Sequence, residues 1–426
     1  MSNPTKNFDL AIIGAGFAGL AAARQAHERG LKFCLIALGF GATTHFSGAF
    51  DLIDPRWQNP SLASLTELSL SQALVDFVRA YPDHLYARLV KNRSDFADKL
   101  PLQLKTFLDF FAIPHRGNGV HSVLAFGSSG NAKPTAFAMT PHGLIAGEVG
   151  SQAKAVFLNV PGLTDYPAAT IAKNLSRHFS KIAVLDFCEI PIIRLAPLAG
   201  LLQRFDEVAA VDVLINFLKP RLGEAKFLVL PPVLGRAHYL ENITRLESAL
   251  DVRVVELLSA FPATAGLRLT DHLKEVIAAK GWTWISGEVA EAVTEGSEIK
   301  SVRIVGEDEM CSITARQFIL ATGKFLGGGI RHQARFFEPL FDLPLSAGGE
   351  ALNPHTHVTQ LIRSEGLKRQ RFMDVGIMTN ASLHPVSATK LVFNNLKACG
   401  HILSGFDFAR DRCGFGVSVA SAEACF

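Results

Sequence analysis

Three glycines near the start of the chain have the spacing of a phosphate-binding turn. Gly14, Gly16 and Gly19 follow the apolar run Asp9–Ile13 and open a helix-prone segment that ends at Gly30. At this spacing the first glycine permits a tight turn, the second lets a phosphate approach the backbone, and the third lets the helix lie close to the strand. The free N–H groups and the dipole at the helix start then hold the anion. We interpret the turn as an anion site, and a glycine-rich turn without a ligand is the alternative.

The strand that follows the helix lacks an acidic residue at its end. Proteins that bind NAD or FAD usually carry Asp or Glu there, about twenty residues after the glycines, to hold the adenosine ribose. In this chain the position is Ala37, and no acidic residue is nearby. FMN, a flavin without the adenosine half, satisfies both observations. An FAD protein in which the acid is replaced is the alternative.

The loop after this second strand is rich in small and hydroxyl-bearing residues. Thr43, Thr44 and Ser47 can hydrogen-bond a phosphate or the edge of a flavin ring, and Gly48 allows a ligand to come close. His45 can face a reaction centre, although a histidine in a loop can equally serve only as a hydrogen-bonding residue. We predict that the loop borders the cofactor, with His45 as a catalytic candidate.

A second flavin-type pattern occupies the last third of the chain. Leu267–Lys280 predicts an amphipathic helix, and Phe318–Gly323 predicts a strand that ends in a glycine turn. An Ala-Thr-Gly turn after a small meander indicates a flavoprotein, so Thr322 and Gly323 are predicted cofactor contacts. The strand and meander segments between helix and turn are Trp282–Ile285, Glu288–Val293, Lys300–Val305 and Met310–Ile313.

The closing segment supplies a third candidate contact with a flavin. Gly405 and Asp407 lie in a Gly-Phe-Asp turn, and Gly414, Gly416 and Val417 lie in a helix that opens on glycines. The N-terminus of such a helix can face the pyrimidine carbonyls of a flavin and stabilise negative charge on reduction. An ordinary glycine turn is the alternative. We predict that these five residues contact the cofactor.

The middle of the chain has a different character. Helical patterns and short apolar strands alternate there without a glycine signature, which predicts an α/β insertion over residues 61–262. The predicted fold class is therefore α/β, with a Rossmann-like flavin-binding domain (parallel sheet plus β-meander) formed by residues 1–60 and 263–426, and an inserted α/β substrate or cap domain. The patterns that predict the insertion are Ser71–Arg79, Pro101–Phe111, Val156–Val160, Phe205–Leu218 and Lys226–Leu230.

Composition excludes several classes of function. The net charge is +3 without a basic cluster, so nucleic acid is not expected as a partner. The longest apolar region, Ile182–Leu202, is interrupted by charged residues and prolines and cannot span a membrane. No signal peptide is predicted at the start. The apolar content of 48% and the mean hydropathy of +0.23 leave room for an extensive subunit interface.

The six cysteines do not form a metal or disulfide framework. They show no Cys-x-x-Cys motif and no close grouping, so neither structural zinc nor an iron–sulfur cluster is predicted. Buried free thiols in a reducing cytoplasm are the expectation.

These motifs resemble those of the fumarate reductase/succinate dehydrogenase-like flavoproteins. More narrowly, the chain resembles the B subunit of bacterial anaerobic glycerol-3-phosphate dehydrogenase over nearly its whole length. Two of the motifs are shared by many flavoproteins, and the other three discriminate this kind of subunit. In chain order the motifs are Ile12–Leu20, His45–Leu52, Phe261–Leu269, Leu320–Gly329, and Ser404–Asp407 with Cys413–Gly416.

The resemblance implies an FMN cofactor and a complex of several subunits. A catalytic FAD subunit would oxidise sn-glycerol 3-phosphate to dihydroxyacetone phosphate, and an iron–sulfur subunit at the membrane would pass the electrons to the quinone pool. This chain would lie in the cytoplasm, peripheral to the inner membrane through its partners. The alternatives are a self-sufficient FAD-dependent dehydrogenase or reductase of the same class, and a scaffold subunit without cofactor.

A second catalytic candidate is Arg268, which follows the Phe261–Gly266 segment where the chain re-enters the flavin domain. A fixed cation beside the flavin ring would stabilise the reduced, anionic flavin. The alternative is a surface charge near the start of a helix.

Overall fold

A computed structural model describes residues 5–54, 69–90, 95–145, 148, 153–187, 198–306, 310–353, 355–365, 370–388 and 390–426. Helices and sheets are mixed throughout, and parallel sheets are present, which confirms the predicted α/β class. The strands are β1 Thr5–Ile13, β2 Phe33–Ile36, β3 Ala49–Phe50, β4 His115–Arg116, β5 Val123–Phe126, β6 Ala132–Thr135, β7 Phe137–Met139, β8 Gly143–Leu144, β9 Lys154–Asn159, β10 Lys181–Asp186, β11 Phe227–Leu230, β12 Arg253–Glu256, β13 Thr283–Ile285, β14 Glu288–Glu295, β15 Glu298–Val305, β16 Met310–Leu320, β17 Arg331–His332, β18 Phe336–Phe337, β19 Leu345–Ala347, β20 Glu350–Ala351, β21 Gly376–Ile377, β22 Val386–Ser387, β23 Lys390–Leu391 and β24 Leu396–Ala398.

The helices vary from single turns to four turns. They are α1 Phe17–Glu28, α2 Leu70–Ala80, α3 Leu85–Val90, α4 Phe96–Phe110, α5 Ala168–Leu175, α6 Leu198–Phe205, α7 Val208–Leu218, α8 Tyr239–Leu250, α9 Thr264–Ala279, α10 Val358–Leu361, α11 Arg371–Asp374, α12 Phe408–Asp411 and α13 Gly414–Ala424. Short 3₁₀ helices cover Gly41–His45, Ser176–His178 and Gly400–Ile402. Among the described residues, no helix combines the length and the apolar character that crossing a bilayer requires.

The main sheet is built around β1. Its order is β13-β2-β1-β16-β15-β14, with β24 also paired to β16. Because β1 runs parallel to both neighbours, Ile13 lies beside Ile36 on one side and Leu320 on the other. The carboxyl ends of these strands therefore meet at one edge, which is where ligands bind in open α/β sheets. The antiparallel run β14-β15-β16 is the predicted meander, and it is confirmed.

A second sheet lies in the middle of the chain. Its order is β10-β9-β11-β12, and all its pairs are parallel. The four strands fall inside the segment 61–262, where the sequence predicts an insertion. The division of the chain into two flavin-binding parts and an insertion stays a prediction.

Two predicted elements have other bounds in the structure. The helix predicted over 205–218 is interrupted, because α6 ends at Phe205 and α7 starts at Val208. Between the two helices, Asp206 binds the loop before α8, because its Oδ1 accepts the backbone N–H groups of Arg236 and Ala237 at 2.9 Å. The strand predicted over 310–313 continues to Leu320, where it forms the parallel pair with β1.

The first and last long helices pack side by side on the main sheet. In α1, Arg24 is almost fully buried and pairs with Glu423 of α13. Gln25 reinforces this contact by donating from Nε2 to the other oxygen of Glu423 at 2.7 Å. The two ends of the chain are thereby joined by a buried polar contact.

Candidate functional site

Two glycines of the first turn are needed for packing. Gly14 has φ +109°, and a Cβ there would overlap the carbonyl of Ala321 in the turn after β16. A Cβ at Gly19 would overlap the carbonyl of Gly14, so α1 can approach β1 only with glycine at that position. The roles expected from the sequence for these two positions agree with the geometry.

Gly16 has a different environment. A Cβ there would lie 3.4 Å from Thr43 Oγ1 and 3.6 Å from the Phe40 carbonyl oxygen, which is ordinary contact. Gly16 is the N-cap of α1; within the described structure no side chain caps the helix, and its first turn has no acidic residue. The first N–H groups of an α-helix lack partners within the helix, so this N-terminus can take an anion.

The hydroxyl-rich loop is held against the glycine turn from the other side. Thr43 is buried beside Gly16, and Thr44 donates from Oγ1 to the Gly41 carbonyl at 2.8 Å. A Cβ at Gly266 would overlap the Thr44 carbonyl, which shows how closely α9 packs on this loop. The Ser47 carbonyl accepts the N–H of Ser259 at 2.8 Å.

The turn after β16 completes the arrangement. Thr322 Oγ1 is buried and has no hydrogen-bond partner in the described part of the chain. Gly323 follows with φ +74°, and a Cβ on it would touch Gly327 at 3.9 Å. Buried hydroxyls are normally satisfied, so an orphaned one beside the glycine turn suits a ligand that reaches this edge of the sheet.

The rim at the end of β2 carries no charge. The Ala37 N–H donates to the Ile285 carbonyl at 3.1 Å, and the next residue, Leu38, is 71% exposed. A ligand at this rim would meet apolar side chains, with no carboxylate on the strand end for a ribose.

His45 lies at the exposed border of the site. Its ring packs on Phe261, with 5.2 Å between centroids, and the Phe261 side chain is itself 74% exposed. An exposed imidazole is accessible to a substrate, and the catalytic role of His45 stays a prediction.

The closing turn and helix make contacts with protein groups. A Cβ at Gly405 would lie 2.5 Å from Arg88 Nη2, and one at Gly416 would overlap the hydroxyl of Tyr86. The Gly416 N–H donates to the Asp51 carbonyl at 3.0 Å. Small residues here make room for side chains of α3, and their predicted contact with a cofactor stays a prediction.

The remaining predicted residues of this segment have structural partners. Asp407 caps α12 by accepting the N–H groups of Ala409 and Arg410 at 3.1 Å. A Cβ at Gly414 would meet the His401 ring at 2.9 Å. Val417 is fully buried, and its N–H donates to the Cys413 carbonyl at 2.8 Å.

An aromatic cluster joins the closing helix to the glycine turn. Phe17 begins α1 and Phe415 lies in the first turn of α13, with 5.0 Å between the ring centroids. Phe50 packs on both rings, at 6.0 and 4.9 Å. The structure therefore brings the starts of the two helices together through apolar contact.

Arg268 is buried in an ion pair. Its Nη1 lies 2.5 Å from Glu256 Oε2, and both side chains are 0% exposed. Nε donates to the Gly235 carbonyl at 2.8 Å, and the guanidinium stacks 4.3 Å from the Tyr239 ring centroid. The residue is therefore neither a surface charge nor a free cation, and its catalytic role stays a prediction.

His142 is a candidate that the sequence did not indicate. Its Nδ1 lies 3.1 Å from the Glu256 carbonyl oxygen, and its Nε2 is buried without a partner among the described residues. Burial lowers the pKa of His142, although Glu256 opposes the shift, so the ring is neutral and Nε2 is an acceptor. A Cβ at Gly48 would meet the ring at 2.6 Å, which explains this glycine. Contact between residues so distant in sequence leaves no local signal.

A buried group of possible metal ligands lies under α3. Atoms of His84, Asp411 and Cys413 are within 4.8 Å of one another. His84 Nδ1 accepts the Tyr86 N–H at 3.0 Å, which leaves the ring proton on Nε2. That nitrogen lies 3.5 Å from Asp411 Oδ2 and 3.8 Å from Cys413 Sγ. A protonated nitrogen donates hydrogen bonds and cannot coordinate a metal, so the geometry favours a polar core contact.

His401 should make the stability of the protein depend on pH. Burial lowers its pKa to about 4, and Lys324 adds to the shift while the Gly414 carbonyl opposes it. Below about pH 6.5 the unfolded chain takes up a proton that the folded chain refuses, so stability is lost as the pH falls toward 4. We expect a loss of about 1–2 kcal/mol at about pH 5.

Urea unfolding at neutral and at mildly acidic pH measures this effect. The His401→Asn variant should lose less stability on acidification than the unmodified protein, because asparagine does not titrate. Equal losses in the two proteins would contradict the assignment to His401.

A known protein family matches most of the chain, including the site. The sequence profile of the FAD binding domain family matches residues 9–157 and 206–417, which is well over half of the chain. The chain belongs to the FAD binding domain family. The matched residues include both turns at the carboxyl edge of the main sheet, and the gap falls in the middle of the chain, where the sequence predicts an insertion.

Individual curated relatives match almost the full length of the chain. The chain is 24% identical over 445 residues to the B subunit of anaerobic glycerol-3-phosphate dehydrogenase from Aliivibrio fischeri, covering 97% of this chain and 93% of that protein. It is 26% identical over 446 residues to the protein of the same name from Haemophilus influenzae, covering 98% of both chains.

Solved structures of two other proteins also align with the chain. The 3-ketosteroid-Δ4-(5α)-dehydrogenase of Rhodococcus jostii aligns at a TM-score of 0.42 and 10% identity, covering 98% of this chain and 96% of that one. The Escherichia coli quinol fumarate reductase aligns at a TM-score of 0.41 and 10% identity, covering 99% of this chain and 69% of that one.

The residues at the carboxyl edge fit the flavin that membership of this family implies. The N-terminus of α1 offers N–H groups behind the open face of Gly16, and Thr322 offers an orphaned hydroxyl. Both are donor groups of the kind that hold a phosphate. The family and the geometry together support a flavin cofactor.

Proposed function

We propose that this chain is the flavin-binding subunit of a quinone-linked anaerobic glycerol-3-phosphate dehydrogenase complex. The complex oxidises sn-glycerol 3-phosphate to dihydroxyacetone phosphate, and the chain takes part in relaying the electrons to the membrane quinone pool. The observation that carries the proposal is that the match to the B subunits of such enzymes extends over nearly the whole of both chains. The phosphate-type turn at Gly14–Gly19 supports it independently.

Different residues at the site have different proposed roles. The first N–H groups of α1, together with Thr43 and Thr322, would hold the phosphate, while Gly48 leaves room for the His142 ring. A bound flavin supplies reversible acceptance of one or two electrons. His142 presents a neutral acceptor nitrogen behind Gly48, and His45 offers an accessible imidazole at the border.

The closing segment has a supporting part in this proposal. The starts of α1 and α13 are held together by the contact between the rings of Phe17 and Phe415. Gly405, Asp407, Gly414, Gly416 and Val417 would contact a bound flavin through backbone groups, because the Asp407 side chain caps α12 and the Val417 side chain is buried. Arg268, compensated by Glu256, holds α9 to the end of β12, and Gly266 lets α9 pack closely on the loop at Thr44.

The cofactor is expected to be FMN. Apolar Ala37 and exposed Leu38 follow β2 directly, so an adenosine ribose would find no carboxylate there. Purified protein should therefore carry a flavin that is released by denaturation and co-elutes with FMN in chromatography. Release of FAD would favour the self-sufficient dehydrogenase. Purified, folded protein that contains no flavin would favour a scaffold subunit.

The proposed function requires partner subunits that carry electrons to the membrane. A flavin subunit of a respiratory complex needs an electron route to the membrane, and a catalytic FAD subunit and an iron–sulfur subunit would provide the remaining steps. The proposed location is the cytoplasmic side of the inner membrane, reached through these partners. The inserted segment 61–262 is the proposed cap domain of the chain.

Co-expression tests the assignment to a complex. Alone, the chain should show little or no glycerol-3-phosphate oxidation with an artificial acceptor. Activity should appear when the catalytic FAD subunit is co-expressed, and quinone-linked activity when the iron–sulfur subunit is added. Full turnover by the monodisperse chain alone, with FAD as its cofactor, would replace the proposal with the self-sufficient dehydrogenase.

A further inference from the structure

A cavity of about 190 Å³ lies between α3 and the turn that follows β21. Helix α3 contributes Leu85, Arg88 and Leu89, and the turn contributes Thr379 and Asn380 among its lining residues. The cavity has the composition of a small-molecule site, with mostly apolar walls and a few polar groups. Its described lining residues lie outside the glycine turns at the edge of the main sheet.

The turn that forms one wall is rigid. Asn380 Oδ1 accepts the backbone N–H groups of Ser382 and His384, each at 3.0 Å, and the Asn380 N–H donates to the His384 carbonyl at 3.0 Å. Leu383 has φ +62°, and its carbonyl accepts the N–H of Ala398 at 2.9 Å. These hydrogen bonds hold the wall of the cavity on the side of the turn.

Arg88 brings a fixed positive charge to the cavity. Its Nη2 donates to the Ser404 carbonyl at 2.5 Å, and the guanidinium lies over Gly405, where any Cβ would collide with it. Its Nε is buried and has no hydrogen-bond partner in the described structure. A buried N–H of a charged group without an acceptor is costly, so the position suits a ligand that supplies one.

The carboxylate of Asp374, which acts on Arg88, already accepts two hydrogen bonds. Burial lowers the pKa of Arg88 and Asp374 acts against that shift, but the two Asp374 oxygens accept the N–H groups of Gly405 and Gly348 at 2.5 Å each. Asp374 therefore acts on the guanidinium electrostatically while its two oxygens accept hydrogen bonds from the backbone. An acceptor in the cavity would therefore find Nε of Arg88 still without a partner among the described residues.

We propose that this cavity binds a small organic monocarboxylate, held by Arg88 and enclosed by the leucines of α3 and of the 379–383 turn. A guanidinium pairs with a carboxylate through two parallel hydrogen bonds, and Arg88 is the cation among the described lining residues. The apolar walls suit a short hydrocarbon chain. A phosphate dianion carries two charges, and Arg88 alone would compensate only one of them. The volume corresponds to about six water molecules, which limits the ligand to a few carbons.

Calorimetric titration of the purified, flavin-containing protein tests the proposal. Butanoate should bind with a Kd of about 1 mM or lower. Its uncharged analogue butanamide, and glycerol 3-phosphate as the dianion, should each bind at least tenfold more weakly. Equal affinity for butanoate and butanamide, tighter binding of glycerol 3-phosphate, or no binding of butanoate would each overturn the proposal.

Variants locate the site. Ala381 lines the exposed mouth of the cavity, so Ala381→Leu should close it and weaken butanoate binding at least tenfold without disturbing Arg88. Ser382→Leu adds the same side chain at an exposed neighbour that does not line the cavity, and it should bind as the unmodified protein does. Arg88→Met should also abolish binding. If that variant does not fold, the Ala381 and Ser382 pair decides, because unchanged affinity in Ala381→Leu would place the ligand elsewhere.

Discussion

The Gly16→Val variant is expected to lose its flavin while keeping its fold. A methyl group at Gly16 would make only ordinary contacts with Thr43 and Phe40, so alanine should fit. The branched valine would extend further, into the space in front of the first N–H groups of α1, where the phosphate must lie. Flavin content after purification should fall by about tenfold or more in Gly16→Val and by less in Gly16→Ala, since a lost set of phosphate contacts exceeds about 1.4 kcal/mol.

Gly39→Val is the matched control. Gly39 lies in the same strand–loop region, and a Cβ there would meet nothing within 4 Å. This variant should retain its flavin and its far-ultraviolet circular dichroism. Full flavin content in Gly16→Val would show that the phosphate binds at another position, whereas loss of flavin in Gly39→Val would show that the region tolerates no added side chain.

Arg268→Ala is expected to destabilise the protein severely. The substitution would leave the Glu256 carboxylate buried without its cation, and breaking one partner of such a pair costs about 3–5 kcal/mol. It would also remove the stacking on Tyr239 and the hydrogen bond to the Gly235 carbonyl. Urea unfolding of the purified variant measures the loss.

Two controls test whether the loss of stability comes from leaving a buried charge without its partner. Arg236 forms an ion pair with Asp271 that is about half exposed, and Arg236→Ala should cost less than about 1 kcal/mol. The double variant Arg268→Met with Glu256→Leu should recover part of the stability, because it removes both buried charges together. A single Arg268→Ala variant as stable as Arg236→Ala would contradict the role given to the pair.

The reduction potential of the flavin is a separate measurement on the same variants. If Arg268 stabilises the reduced flavin, Arg268→Ala lowers the potential even where the protein remains folded. Because Glu256 compensates the charge, we expect the shift to be small relative to the loss of stability. An unchanged potential in folded protein would leave Arg268 with a structural role alone.

Local sequence signals predicted the strand–turn–helix at the start of the chain and the meander near its end. In both, neighbouring residues determine the structure: an apolar strand leads into glycines at Gly14, and alternating residues form the hairpins before Leu320. Positions such as Gly14 and Gly19 could be assigned because their close packing requires glycine in a turn of this kind.

The groups that surround these turns could not be predicted in the same way. Arg88 meets the Ser404 carbonyl 316 residues further on, and His142 meets the Glu256 carbonyl 114 residues further on. Their residue types alone are compatible with an exposed position, and only the folded chain shows that they are buried. The break at Asp206 was missed for a similar reason, since its partners lie about thirty residues further on.

The pairing of β1 with β16 also has a consequence for folding during synthesis. The first strand leaves the ribosome early, but its partner on one side is Met310–Leu320, almost three hundred residues later. At roughly 5–20 residues per second, translation of that interval takes about 15–60 s. During this time one edge of β1 has no partner strand, and α1 waits still longer for α13. We expect newly synthesised chains to depend on chaperones during this interval, and chains that stop before Met310 to aggregate instead of folding.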